Sequence, residues 1–454
     1  MNTQMSKKMS KRLPSAVLFT ALLIFGTASA QPGAQTSSNR DVDSNAVQEA
    51  AVAPQSPAER CTGLIDETIG DPFRAVNACT ALLSATNLSE ADRAAAHIVR
   101  ARARVMLDEP GKARNDNLEA VKLYTSLLTI GREPYPPYVF LRGTAYHALG
   151  EADRAVADYT WVIQRNPRNF HALMDRAIVL SRLKGETITA LADFDQAIAI
   201  LPQNFTAIAA RGETYEMAGQ YPKALADYTR AIELAPQTTR FYVRRGALQS
   251  RLGAKDLALK DYATALALDP ENVEALANRG ALHAGGGDSA AAIADLDRAI
   301  ARAPHDAMAL YNRGYARFAQ RDWEGALEDY TAAIVEAPQF GLAYNNRCLS
   351  SALLKREKTS TLRDCERAIS AFPERADVRE TRALAHLLYG DLDDAIANYD
   401  AALKIEAARP LALYGRGLAK IKKGQVNEGR ADQTAARALF TEVEGQFTVY
   451  GLAK

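Results

Sequence analysis

The chain has 454 residues, 48% of them hydrophobic and 24% charged, with a formal net charge of +1. That is ample apolar material for a continuous core. A balance this even argues against nucleic acid or an acidic membrane surface as partner.

Residues 1–30 read as a secretory signal. Lys7, Lys8, Lys11 and Arg12 form a basic start, and Ala16 to Gly26 is an apolar core too short to span a bilayer comfortably. Ala28-Ser29-Ala30 supplies the small residues of a cleavage site. Cleavage would take the net charge from +1 to +1 − 4 = −3. No cysteine follows the apolar core, so a lipoprotein is not indicated, and no later run is long enough for a membrane span. An exported, periplasmic protein is expected. Residues 31–56, rich in Gln, Ser, Asn and Ala, read as a disordered leader.

Residues 57–135 hold two degenerate copies of a repeat. In the first, Gly63, Gly70 and Ala75 keep the small-residue positions while the aromatics are missing. The second, about 94–127, keeps Ala101 and Ala113, and Pro134, Pro136 and Pro137 then mark a loop insertion.

From 136 to 443 the repeat is clear. Its best copy is Phe205 to Pro236, FTAIAARGETYEMAGQYPKALADYTRAIELAP. Ile208, Gly212 and Tyr215 share one face of a first helix, and Ala224, Tyr228 and Ala231 share one face of a second. Gly219 falls at the turn, and Pro236 stops the second helix. Gly212 and Ala224 are small enough for the helices to approach closely. The stop recurs at Pro167, Pro202, Pro236, Pro270, Pro304, Pro338 and Pro373, mostly in steps of 34 residues, with 35 before Pro202 and Pro373. Residues 444–454 are expected to form a cap or tail over the end of the array.

This pattern resembles the tetratricopeptide repeat family. The family's spaced positions fall on Ile208, Arg211-Gly212, Tyr215, Ala224, Tyr228, Ala231 and Pro236, with Arg211 departing from the usual leucine. The resemblance covers roughly residues 57–443. It implies an all-α, right-handed superhelical solenoid of tandem helical hairpins whose first helices line a concave groove. Groove positions read from it in the C-terminal half include Met308, Tyr311, Tyr315, Phe318, Leu342, Leu349, Leu384, Leu388, Tyr414 and Leu418. The middle is charged instead, with Glu213, Glu216, Arg240, Arg251 and Glu274. The apolar stripe is either an exposed interaction surface or core buried by tight curvature or the tail.

One polar position recurs more faithfully than the apolar ones. It holds Arg100, Arg142, Arg176, Arg211, Arg245, Arg279, Arg313, Arg347, Arg382 and Arg416. The second helices carry Asp116, Asp158, Asp193, Asp227, Asp261, Asp295, Asp329, Asp364, Asn398 and Asp432. In an antiparallel hairpin the two positions lie at one height, so an arginine–carboxylate pair per repeat is expected, within the hairpin or to its neighbour.

Four cysteines fall two to a repeat, one on each helix. In an oxidising compartment the expected disulfides are Cys61–Cys79 and Cys348–Cys365, each worth about 3 kcal/mol in the chain-entropy model. The six histidines form no metal-binding spacing, the Gly285–Gly287 run lacks a phosphate-loop lysine, and no serine lies in a nucleophile-elbow setting. No cofactor, metal or catalysis is expected. The reading is a non-catalytic scaffold of the cell envelope binding protein or peptide partners. The alternative is a scaffold for polysaccharide assembly or export, with Tyr311, Tyr315 and Tyr414 stacking on sugars.

Overall fold

The computed structural model describes Cys61, residues 71–129 and residues 134–453. The signal and leader segments, Thr62, Gly63 and Gly70 lie outside the described residues. Among the described residues every regular element is helical, and there is no strand.

The described residues form two compact units, divided between Pro270 and Glu271. The first begins with the helix Pro72–Leu83 and the hairpin Glu90–Met106 and Pro110–Thr129. Four more hairpins follow, from Pro136–Ala148 with Ala152–Arg165 to Thr239–Arg251 with Lys255–Leu268. The second unit holds five hairpins, from Val273–Gly285 with Ser289–Arg302 to Pro410–Lys422 with Val426–Leu439, and then the short helix Val443–Val449. The repeats thus end at Leu439, and the cap is a separate helix rather than an extension of the last one. Within each unit the second helix of one hairpin packs on the first helix of the next, so that neighbouring hairpins share their apolar faces.

Local sequence sets the boundaries. Each proline stops a helix, and two residues later an Asn or Asp often caps the next one. Asn169, Asn204 and Asp306 accept from the backbone N–H of Ala172, Ala207 and Ala309 at 2.9, 2.8 and 3.1 Å. Gly219 turns between helices with φ +71°, where a side chain would be strained.

Gly212 does bring the two helices together, but its neighbour is the tyrosine four residues beyond Ala224. A Cβ at Gly212 would lie 3.1 Å from Asp227 Cβ and 3.2 Å from the Tyr228 ring. The fully buried Tyr159, Tyr228, Tyr262 and Tyr330 repeat this contact against Gly143, Gly212, Gly246 and Gly314.

The two 35-residue steps are absorbed differently. Before Pro202 the extra residue widens the end of the first helix into a π turn, Leu180–Lys184. Before Pro373 it lengthens the turn between Leu353 and Lys358, where Lys355 takes φ +52°. Both keep the ladder in register, with Arg176 to Asp193 and Arg347 to Asp364 each 17 residues apart instead of 16.

Candidate functional site

The ladder arginines are forks with two hands. Nε and Nη2 grip the aspartate of the same hairpin: Arg211 reaches Asp227 at 2.9 and 2.7 Å, Arg245 reaches Asp261 at 2.8 Å on both, and Arg279 reaches Asp295 at 2.7 Å on both. Arg313 holds Asp329 in the same way. The remaining Nη1 reaches back to the preceding hairpin, to the residue two places after its aspartate. It donates to Asp195 from Arg211, Thr229 from Arg245, Asp297 from Arg313 and Asp400 from Arg416. This second acceptor was not read from the sequence, because the position varies, holding Thr160, Asp195, Thr229, Ala263, Asp297, Thr331, Glu366 and Asp400 in turn. The hydrogen bonds to their aspartates push these guanidinium pKa values up, against burial.

One rung departs from expectation. Arg382 does not pair with Asn398; its Nη2 donates to Glu366 at 3.3 Å, and its buried Nε has no partner. Asn398 instead donates to its own helix at Asp394 O. An amide presents one acceptor oxygen where the guanidinium fork needs two. The ladder is therefore framework: its donors are committed to the protein.

The expected disulfide partners are joined, with Cα–Cα separations of 4.9 Å for Cys61–Cys79 and 5.5 Å for Cys348–Cys365.

The apolar stripe of the C-terminal half is not an open surface. Tyr311, Tyr315, Phe318, Leu342, Leu349, Leu384, Leu388 and Tyr414 are all buried, and only Met308 and Leu418 are partly accessible. Two contacts close this face. The first helices Ala307–Ala319, Gly341–Leu353, Ala376–Tyr389 and Pro410–Lys422 touch one another directly. The C-terminal helix then lays Val443 and Phe447 into the same cluster, with the Phe447 ring 5.0 Å from that of Tyr414.

Polar groups are sealed in beneath. Glu380, 2% exposed, accepts from Arg409 Nε at 2.9 Å through one oxygen, while its Oε1 has no partner. Burial drives the Glu380 pKa up, and Arg409 opposes that shift. The Tyr399 hydroxyl is also buried without a partner. Gly415 makes room for it: a Cβ there would lie 2.2 Å from the Tyr399 oxygen. Sequence reasoning missed Glu380 and Tyr399. The legible signal was a carboxylate one turn before Leu384, on the same face of the helix.

The unit ending at Pro270 differs. Charged side chains on Leu180–Lys184, Phe205–Met217 and Thr239–Arg251 stay accessible there. Arg182 pairs with Glu213, Arg251 pairs with Glu216 at 2.9 Å, and Met217 is 59% exposed. Asp175, on the same face, is densely surrounded, and that burial pushes its pKa up to about 6. A folded pKa above the unfolded value of about 3.9 means that stability is greatest below pH 4 and falls as pH rises through 6. Asp175→Asn should therefore raise the melting temperature at pH 7.5, by the equivalent of about 2 kcal/mol, relative to its effect at pH 4. Thermal melts at both pH values check this, and a difference that does not change with pH would refute it.

Other candidate centres are weak. His386, Asp391 and Asp394 come within ligand distance of one another, but Lys358 Nζ donates to Asp391 at 2.6 Å and supplies the cation itself. A cavity of about 220 Å³ beside Arg142 and Trp161 is smaller than ordinary small-molecule sites. No helix among the described residues is long and apolar enough to cross a membrane.

Family models described as tetratricopeptide repeat match residues 140–205 and 279–339, 205–238, and 239–272. Together these spans cover residues 140–272 and 279–339. The chain is a tetratricopeptide repeat protein. No curated protein matches it. Among solved structures, the tetratricopeptide repeat protein YrrB, described as having an unusual peptide-binding site, is 25% identical. That match covers 41% of this chain and 95% of YrrB, with a TM-score of 0.35. A tetratricopeptide repeat protein from Parabacteroides merdae is 18% identical over 57% of this chain and 98% of its own, with a TM-score of 0.41. The Cut9–Hcn1 structure matches over 84% of this chain and 93% of its own, at 12% identity and a TM-score of 0.44. Tetratricopeptide repeats are protein-interaction scaffolds, and in this chain the accessible inner face is the charged one before Pro270.

Proposed function

We propose that this protein is a non-catalytic scaffold of the cell envelope that binds a protein or peptide partner on the inner face of the unit ending at Pro270. The observation that carries the reading is the run of accessible charges there, Arg182, Glu213, Glu216 and Arg251, around the exposed thioether of Met217. Ion pairs at such a surface can exchange partners at little cost, because each is worth only about 0–1 kcal/mol where solvent reaches it. The two disulfides favour an oxidising, exported location. The rings on which the polysaccharide alternative rested are buried, so nothing favours it over a protein partner.

The test places a photo-crosslinking amino acid at Met217 in the exported chain. A discrete partner should crosslink, and Arg251→Glu with Glu213→Arg should abolish it. No adduct in the envelope fraction, or an adduct indifferent to charge reversal, would sink the proposal.

A further inference from the structure

We infer that the hairpin carrying Arg142 holds a small carboxylate-binding site, built on a hand of that guanidinium which the ladder leaves unbonded. The site shares no residue with the charged inner face and is independent of what binds there.

The site arises from a long helix. Pro110–Thr129 has 20 residues where a regular second helix such as Ala152–Arg165 has 14. It therefore carries two registers. Asp116 pairs with Arg100 of its own hairpin. About two turns later Tyr124 packs with Ala120 and Ala145, as Tyr159 packs with Ala155 and Val179 in the next hairpin. Tyr124 and Tyr159 are thus equivalent, and Thr125 stands where Thr160 stands. Arg176 closes its rung by donating from Nη1 to Thr160 at 3.0 Å. Arg142 does not close on Thr125. It grips Asp158 with Nε and Nη2 at 2.9 and 2.7 Å, and its Nη1 has no hydrogen-bond partner among the described residues. Arg142 and Thr125 instead both line the cavity of about 220 Å³. At Arg279 the acceptor position is Ala263, so that rung offers no second polar group.

The other rungs define what fits. At Arg211, Arg313 and Arg416 the same Nη1 takes a second carboxylate, from Asp195, Asp297 and Asp400 at 2.7, 2.8 and 2.7 Å, while the fork still holds its own aspartate. One guanidinium of this ladder serves two carboxylates, and the chain itself supplies the template for the ligand. Nη1 offers two N–H donors and Thr125 a hydroxyl, enough for both oxygens of one carboxylate. Leu128, Val139 and Trp161 form apolar walls, and Thr129 also lines the cavity, its hydroxyl already donating to Ser126 O. Arg165 stiffens one wall, its guanidinium stacked 3.4 Å from the centre of the Trp161 ring. Thr125 and Thr129 are exposed, so a ligand enters from solvent. The volume is below the roughly 300 Å³ of ordinary small-molecule sites and far above the roughly 10–15 Å³ that one water needs. A polar end facing apolar walls suits a carboxylate on a short branched stem.

Trp161 reports on the site directly once Trp323, the other tryptophan, is replaced by Phe. The full chain carrying Trp323→Phe is titrated with isovalerate, isovaleramide and isopentylammonium while Trp161 fluorescence is followed. Isovalerate should bind saturably and at least about tenfold more tightly than the amide of the same shape, and the ammonium should not bind. Calorimetry on the unaltered chain should give the same ranking. Acetyl-alanyl-leucine, with a free and with an amidated C-terminus, separates the sources: binding of the free acid assigns the carboxylate to a peptide end, and its exclusion assigns it to a free small acid. Thr125→Asp supplies the carboxylate from the chain, as Asp195 does for Arg211. It should abolish isovalerate binding and leave the melting temperature unchanged or raised. No saturable binding, equal binding of acid and amide, or isovalerate binding that survives Thr125→Asp overturns the inference.

Discussion

Asp329→Ala will lower the unfolding free energy by about 3–5 kcal/mol. Asp329 is 2% exposed and accepts from Arg313 Nε and Nη2 at 3.0 and 2.5 Å and from Arg317 Nη1 at 3.0 Å. Removing it leaves two guanidiniums short of a partner, Arg313 with only Asp297 at 2.8 Å and Arg317 with only the more distant Asp322 at 4.0 Å. The cost is that of the stranded charge and not the net worth of the pair, which is small. The double variant Arg313→Met, Asp329→Leu should accordingly recover most of the loss, since it removes both charges and keeps the volume. Urea unfolding followed by circular dichroism measures both. A loss below about 1 kcal/mol, or a double variant no better than the single one, would show that the ladder is a solvated pair with no stake in stability. The rung at Arg382 marks how far the array tolerates damage: its Nε is already unpartnered, and the hairpin still forms.

The contrast between rungs explains what could be read in advance. The interval between prolines and the co-occurrence of Arg and Asp are comparisons within one chain, so the hairpins and their internal pairs were legible. The link from Arg211 to Asp195, or from Arg245 to Thr229, was not. Its acceptors share only an oxygen at the right height, and residue identity does not display that. The inward stripe was hidden for a different reason. Leu384 and Leu388 have the same helical spacing whether they face solvent or the next first helix. What decides is the distance between neighbouring first helices, which no single repeat encodes. The charged inward positions at Glu213, Glu216 and Arg251 are visible in the sequence, but their accessibility is not. In the fold those positions are the accessible ones. Gly415 carries no signal of its own in the repeat comparison; its use is to admit the end of Tyr399.

That use yields the second large effect. Gly415→Ala places a methyl group 2.2 Å from the Tyr399 oxygen and 2.3 Å from its Cζ, closer than any real contact. Two terms oppose each other. Alanine in mid-helix gains about 1 kcal/mol over glycine, while overpacking a rigid ring costs typically 1–3 kcal/mol and more where nothing can give. Tyr399 is 1% exposed and held by Ala383, Ala395 and Ala412 around it, so the ring has nowhere to swing. Overpacking should win, with a net loss of about 2 kcal/mol. Shortening the obstacle should reverse the sign: in a Tyr399→Leu background the same alanine meets no ring and recovers its helix-forming advantage. The measurement is a double-mutant cycle by denaturant unfolding, and a coupling energy near zero would mean that Gly415 and Tyr399 do not press on each other at all.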